Sequence, residues 1–419
     1  MTIVEKILAR ASGQSKTSPN EYVTAKIDMA MMPDFFGMLP TILSKAGIRE
    51  ETFRLWDPEK FVVVIDHIVP PTSLVSAENH KVYRELAKKL NVKYFYDVFP
   101  GICHQVMIEK GHVRPGMLIV GADSHTTTYG ALNAASTGIG YSEMAYVIQT
   151  GELWFRVPET IKFEISGKLP DFVYSKDLIL YIAGKYSPEV AQYKAIEWTG
   201  SVVDNLTMDG RLTMSNMSVE LGAKFGLFKA DHKIIEYVKA HTDKEFDPVE
   251  SDLDAIYAET YLINGSDIEP QVALPHSVGN VKNVSELKDI KIDQAIIASC
   301  CHGRVEDLEI AAKILKGKKV HPKVRFYIAP ASWEVFKETL DKNILSTLID
   351  SGAMIGSPSC GFCTGNQGVL AKGEKCIAAT PRNFKGRMGS PDAEIYLASC
   401  ATVAASAIKG EIVDPREVM

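Results

Sequence analysis

The stretch FVVVIDHIVPPTSLVSAENHKVYRELAKKLNVKYFY, residues 61–96, decides the fold class. Residues 61–65 form a short apolar run rich in valine and isoleucine, with Pro70 and Pro71 close behind. Such a run, bounded by turn residues, reads as a strand buried on both faces. Residues 77–90 show helical spacing with exposed charges, and 93–96 are again apolar and aromatic. Strand, helix, strand in that order predicts a parallel pair with a crossover helix. Residues 117–120 add another buried strand. The alternation returns late in the chain, with strands over 294–298 and 324–328 and helices over 305–315, 332–340 and 393–408. Between these regions, 161–165 alternates like a half-buried strand, while 175–186 and 231–241 read as helices. The fold class is α/β with mainly parallel sheets.

At 419 residues the chain is long enough for two or three domains of about 150 residues each. Residues 265–283 are rich in Gly, Pro, Ser and Asn and lack a helical period, so they read as a linker. This divides the chain into 1–155, 156–283 and 284–419, the last carrying the late cysteines. The first 13 residues form a short amphipathic helix without the apolar run of a signal peptide, and no apolar run is long enough to span a bilayer. A cytoplasmic location is expected. There, seven cysteines point to ligands, nucleophiles or core residues rather than a disulfide framework. A net charge of −6 gives no basic footprint for nucleic acid.

Cys300 and Cys301 closely follow the strand 294–298, and Cys360 and Cys363 form a Cys-x-x-Cys in a Gly/Pro loop. Four thiols could close a structural zinc site, but adjacent cysteines chelate one tetrahedral ion poorly. A thioredoxin-like pair would open a helix, against which Gly365 argues. Ordinary buried cysteines are the bland reading. Three thiolates on a four-iron cluster would leave one iron open to substrate.

Three histidines also lie just past strand ends. Asp66-His67 follows the first strand, His104 follows the second, and Asp123-Ser124-His125 follows the third. An aspartate beside an imidazole fixes its tautomer and raises its pKa, as acid–base work requires. Asn216 and Glu220 are four apart, on one face if helical. Arg382 and Arg387 lie in a loop and suit bidentate carboxylate binding.

Together, Asp66-His-Ile-Val-Pro-Pro71, Gly101-Ile-Cys-His-Gln105, Gly121-Ala-Asp-Ser-His-Thr126, Trp154-Phe-Arg-Val-Pro-Glu159, the Cys360/Cys363 loop and Arg382-Asn-Phe-Lys-Gly-Arg387 resemble the aconitase superfamily. The resemblance is to the 3-isopropylmalate dehydratase/homoaconitase large subunits and covers nearly the whole chain. It implies three α/β/α domains around a [4Fe–4S] cluster, without the family's mobile fourth domain, and reversible dehydration of a 2-hydroxy di- or tricarboxylic acid. It also implies that Cys300, Cys360 and Cys363 hold the cluster. Asp66 with His67, His104 with Asp123, and His125 with Glu220 are the implied carboxylate–imidazole pairs, and His67 the proton donor. Arg382 and Arg387 are implied carboxylate clamps, with Ser124 and Asn216 as supporting substrate-site residues.

The family's catalytic serine belongs to a Gly-Ser-Ser-Arg motif that does not occur here, so the resemblance implies a small subunit that supplies it. No membrane or nucleic-acid partner is expected. The sequence departs from the family pattern at Pro33, at Cys301-His302 in place of Thr-Asn, and at Pro381. These changes fall near the expected site and bring other malate-type acids into consideration, among them homoaconitate, citramalate and dimethylmalate. A non-catalytic iron-sensing or RNA-binding relative is the alternative from another class.

Overall fold

Phe61–Val64 is wholly buried because it lies inside a five-stranded parallel sheet, with Val62 paired to Tyr94 on one side and to Met31 on the other. The computed structural model describes residues 1–45, 47 and 53–419. The order in this sheet is Tyr94–Tyr96, Phe61–Val64, Met29–Met32, Leu118–Gly121, Ala135–Gly138, all parallel. The crossover helix, Leu74–Lys89, begins three residues before the expected start. Ser73 caps it by accepting the Ser76 N–H at 3.1 Å, so the polar cap rather than the apolar period sets its beginning.

A second sheet of four parallel strands runs Phe225–Phe228, Ala195–Thr199, Thr160–Ser166, Glu259–Asn264. The third has seven strands: Val281–Asn283, Gln271–Ala273, Glu394–Leu397, Lys375–Ala379, Gln294–Ile297, Arg325–Ile328, Met354–Ile355. An apolar core is continuous from Met31 and Val62 through Phe163 and Trp198 to Ile296 and Ala378, so these three sheets share an interior. Among the described residues, no helix is long and apolar enough to cross a membrane.

Two sequence expectations are corrected here. The segment 265–283 is not simply a linker, because Gln271–Ala273 and Val281–Asn283 form an antiparallel edge on the seven-stranded sheet. Three-residue strands in a Pro- and Gly-rich stretch carry no local period, and the pair joins the sheet through Ala273, whose partner Leu397 is distant in sequence. The stretch 393–408 is not one helix. Glu394–Leu397 pairs in parallel with Lys375–Ala379, and the helix is Cys400–Lys409, after Ser399 in extended backbone. The short Ile-Tyr-Leu run takes the open sheet position rather than joining the helix.

The loops that follow Tyr94–Tyr96 of the first sheet and Arg325–Ile328 of the third meet at Gly101. Its φ is +131°, it bridges to Ser332, and the next N–H, of Ile102, donates to Ala331 O at 2.9 Å. A Cβ at Gly101 would lie 2.5 Å from Ser332 Cα. Gly101→Ala is therefore expected to destabilise the fold by about 2–4 kcal/mol, from left-handed backbone strain plus overpacking. Denaturant unfolding measures this, and an unchanged midpoint would show that the junction yields freely.

Candidate active site

The site loops leave the carboxyl ends of parallel strands, where open α/β sheets place their ligands. Asp66 and His67 follow Phe61–Val64, Asp123 and His125 follow Leu118–Gly121, and Cys300 follows Gln294–Ile297. Cys360 and Cys363 follow Met354–Ile355, and Arg382 and Arg387 follow Lys375–Ala379. His104 sits in the first turn of the helix Cys103–Glu109. Glu220 lies in the 3-10 turn Ser218–Leu221, which continues the helix Met208–Met217 bearing Asn216.

These loops converge on one cavity of about 190 Å³. All the sequence-predicted site residues line it except Ser124, Asn216 and Glu220. Ser124 instead faces a neighbouring cavity beside Thr137 and Lys224, with Asp123 between the two. Asn216 is fully buried, and its Nδ2 donates to Cys300 Sγ at 3.2 Å and Thr128 Oγ1 at 2.8 Å. It therefore supports a cysteine and is not part of the wall of the cavity.

Each expected carboxylate–imidazole pair is in contact. His67 Nδ1 is 2.7 Å from Asp66 Oδ1, His104 Nε2 is 2.8 Å from Asp123 Oδ1, and His125 Nε2 is 2.8 Å from Glu220 Oε1. Asp123 serves more than one histidine, with His125 Nδ1 at 3.7 Å and His67 Nε2 at 3.8 Å. Burial pushes its carboxyl up, but the His104 hydrogen bond and the three imidazoles prevail and hold it well below the usual carboxylate range. Burial also opposes a charged His67. Asp66 beside it, helped by Asp123 and Asp34, prevails and raises it to about 10. Glu220 bonds both His125 and Arg382, whose Nε donates to Oε1 at 2.7 Å.

The cysteine pair sits on a single helical turn, Gly361–Thr364, ended by Gly365 at φ +72°. Cys360 and Arg387 both donate to Cys363, Arg387 Nη2 at 3.2 Å, and hold it below the ordinary thiol range. Burial pushes Cys300 up, so that thiol ionises readily only with a metal present. Three cysteine side chains in one cavity, two of them receiving hydrogen bonds from Asn216 and Arg387, make a donor set that fits an iron–sulfur cluster. Cys103 also reaches this wall, but its thiol and its N–H both bond Asp66.

Several supporting residues were not singled out by sequence reading. Asp34 accepts from the amides of Asp66 at 2.5 Å, His67 at 3.1 Å and Ile68 at 3.0 Å, fixing that loop. Tyr129 OH lies 3.1 Å from His104 Nδ1. Asp34 had only its neighbour Pro33 as a signal, and Tyr129 had none. The departures from the family pattern lie away from the wall of the cavity. Pro33, Cys301, His302 and Pro381 are buried and none of them lines it.

A family model described as the aconitase family (aconitate hydratase) matches residues 5–288 and 280–410. The "3-isopropylmalate dehydratase large subunit 1" of Methanopyrus kandleri is 50% identical over 417 residues, 99% of each chain. The "3-isopropylmalate dehydratase large subunit" of Moorella thermoacetica is 45% identical, covering 100% of this chain and 99% of that one. The "Probable methanogen homoaconitase large subunit" of Methanothermobacter thermautotrophicus is 44% identical, covering 100% and 98%. Among solved structures, Thermococcus kodakaraensis aconitase X (holo-form) shares the fold, with a TM-score of 0.53 at 13% identity over 91% of this chain and 89% of that one. Matched from residue 5 to residue 410, through both cysteine loops, the chain belongs to the aconitase family.

Proposed function

We propose that this chain is the large subunit of a hydro-lyase of the 3-isopropylmalate dehydratase type, working on a 2-hydroxy dicarboxylic acid with a [4Fe–4S] cluster on Cys300, Cys360 and Cys363. The observation that carries this reading is the single cavity that holds those three cysteines, His67 and both arginines. When bound, the cluster supplies a Lewis-acidic iron for the substrate's hydroxyl and carboxylate. His67, held protonated by Asp66, donates a proton from Nε2 to the departing hydroxyl. Arg382 uses Nε on Glu220, which leaves its terminal nitrogens for a substrate carboxylate, and Arg387, which lines the same cavity, is the second carboxylate clamp. Asp123 keeps His104 and His125 oriented. A partner subunit supplies the catalytic serine, in keeping with the "large subunit" names of the relatives and the absence of Gly-Ser-Ser-Arg from this sequence.

The substrate test is an anaerobic assay of the chain reconstituted with its small subunit on isopropylmalate, homoaconitate, citramalate and dimethylmalate. Because the departing residues do not line the cavity, isopropylmalate is expected to turn over fastest. A faster rate on homoaconitate would move the protein to the other class of large subunit represented among its relatives. No turnover of any acid by a fully loaded cluster would favour the non-catalytic alternative.

A further inference from the structure

Cys300 and His302, two residues apart, serve different cavities. Cys300 lines the one described above, whereas His302 lines a second cavity of about 160 Å³ together with Asp307 and Cys400. His302 lies in the loop after Gln294–Ile297, Asp307 in the first turn of Val305–Leu315, and Cys400 opens the helix Cys400–Lys409. All three are buried, and one potential ligand atom from each lies within 4.8 Å of the others.

The carboxylate of Asp307 is already oriented. Its Oδ2 accepts the N–H groups of Gly303 and Arg304, both at 3.0 Å, as a helix cap. Capping explains that oxygen and leaves Oδ1 facing His302 Nε2 at 3.9 Å and Cys400 Sγ at 3.7 Å. The first distance is too long for a hydrogen bond, and the second is a weak thiol contact. A buried carboxylate oxygen so placed lacks a strong partner. Around one zinc, with metal–ligand distances of about 2.0–2.3 Å, the edges of a tetrahedron are about 3.3–3.7 Å. The two distances to Asp307 Oδ1 thus need to close by only a few tenths of an ångström, and His302 Nε2 and Cys400 Sγ already lie within 4.8 Å of each other. The other imidazole nitrogen of His302, Nδ1, is 3.0 Å from Cys301 Sγ, and this contact fixes the ring with Nε2 towards Asp307. Glu306 and Asp209 also line the cavity and offset the nearby cationic Lys176 and Arg304.

We propose that His302 Nε2, Asp307 Oδ1 and Cys400 Sγ form a mononuclear site for a zinc-class divalent cation, separate from the cysteines Cys300, Cys360 and Cys363, with its fourth position open to water in the second cavity. Mixed N, O and S donors suit zinc better than magnesium or calcium, which take oxygen ligands. Binding replaces the Cys400 thiol proton with the metal and ties the helix Cys400–Lys409 to the loop that bears Cys300. The proposal stands whether or not the chain is a dehydratase.

The test loads the anaerobically purified, iron-containing full chain with zinc, removes excess metal by gel filtration, and reads the zinc K-edge. Iron does not contribute at that edge. The expected result is about one zinc per chain with one sulfur near 2.3 Å and the remaining ligands N or O near 2.0–2.1 Å. His302→Ala and Cys400→Ala should each lose the zinc, and iron content should be unchanged in both. Zinc bound by three sulfurs would mean occupation of the Cys300, Cys360 and Cys363 site and would overturn the proposal. So would the absence of retained zinc, or zinc retained by Cys400→Ala. The sulfur count in the unmodified chain decides the matter even if a variant fails to fold.

Discussion

Cys363→Ser is expected to remove the iron–sulfur cluster and bring dehydratase turnover of the reconstituted enzyme down to the blank rate. Cys363 is the cysteine best prepared to be a thiolate, since Cys360 and Arg387 both donate to it. Serine has nearly the same shape, so the turn Gly361–Thr364 and its Cys363 N–H to Cys360 O bond at 3.1 Å should persist. A serine hydroxyl is a hard donor that stays protonated at neutral pH, where iron–sulfur chemistry needs a soft thiolate. Iron should fall from about four per chain to well under one, with far-UV circular dichroism unchanged. Cys103→Ala is the informative control. That thiol reaches the same cavity but bonds Asp66, so iron content should stay at the unmodified level. A Cys363→Ser chain that kept its iron and turned over would end the cluster assignment.

His67→Gln is expected to lower kcat by about 10²–10⁴ with iron content unchanged, the usual contribution of a positioned general acid. Its protonated form is set by a contest. Burial favours neutral imidazole, and Asp66 at 2.7 Å overturns that preference, raising His67 to about 10. The acid form therefore persists through neutral pH, and dehydration should decline on the alkaline side only near pH 10. Asp66→Asn removes the stabilising charge while burial remains. The alkaline limb should then move down by several pH units, and kcat at pH 8 should fall towards that of His67→Gln. Stability follows the same linkage. A folded-state value above the unfolded 6.5 adds stability that is fully present below pH 6.5 and is lost as pH rises through about 10. The difference in Tm between the parent and His67→Gln should accordingly be largest in mild acid and vanish above pH 10. An alkaline limb unmoved in Asp66→Asn would assign the proton donor elsewhere.

Local chemistry alone made the α/β class legible. The strand at 61–65, the helix at 77–90 and the strand at 93–96 appear at nearly those bounds, because a strand buried on both faces must be apolar throughout and a crossover helix must not be. The cysteine loop, the strand-end histidines and the paired arginines were readable for a similar reason: chemistry restricts which residue types can do each task. What the sequence could not carry was which side of a loop each side chain faces. Cys301 and His302 stand beside Cys300 in the chain, yet backbone direction turns His302 into another cavity, where it meets Asp307 and, from nearly a hundred residues on, Cys400. Asn216 moved from the wall to behind a cysteine, and the paired strands at 271–273 and 281–283 join the sheet through Ala273 and its distant partner Leu397. The sharing of Asp123 among three histidines likewise depends on the segment 123–125 meeting the loop of His67 and the start of the helix Cys103–Glu109. The kinds of group and the sheet class were legible from the residues alone, since both follow from short-range pattern. Partners, facing and charge state emerged with the folded chain, since these depend on burial and on contacts between residues far apart in the sequence.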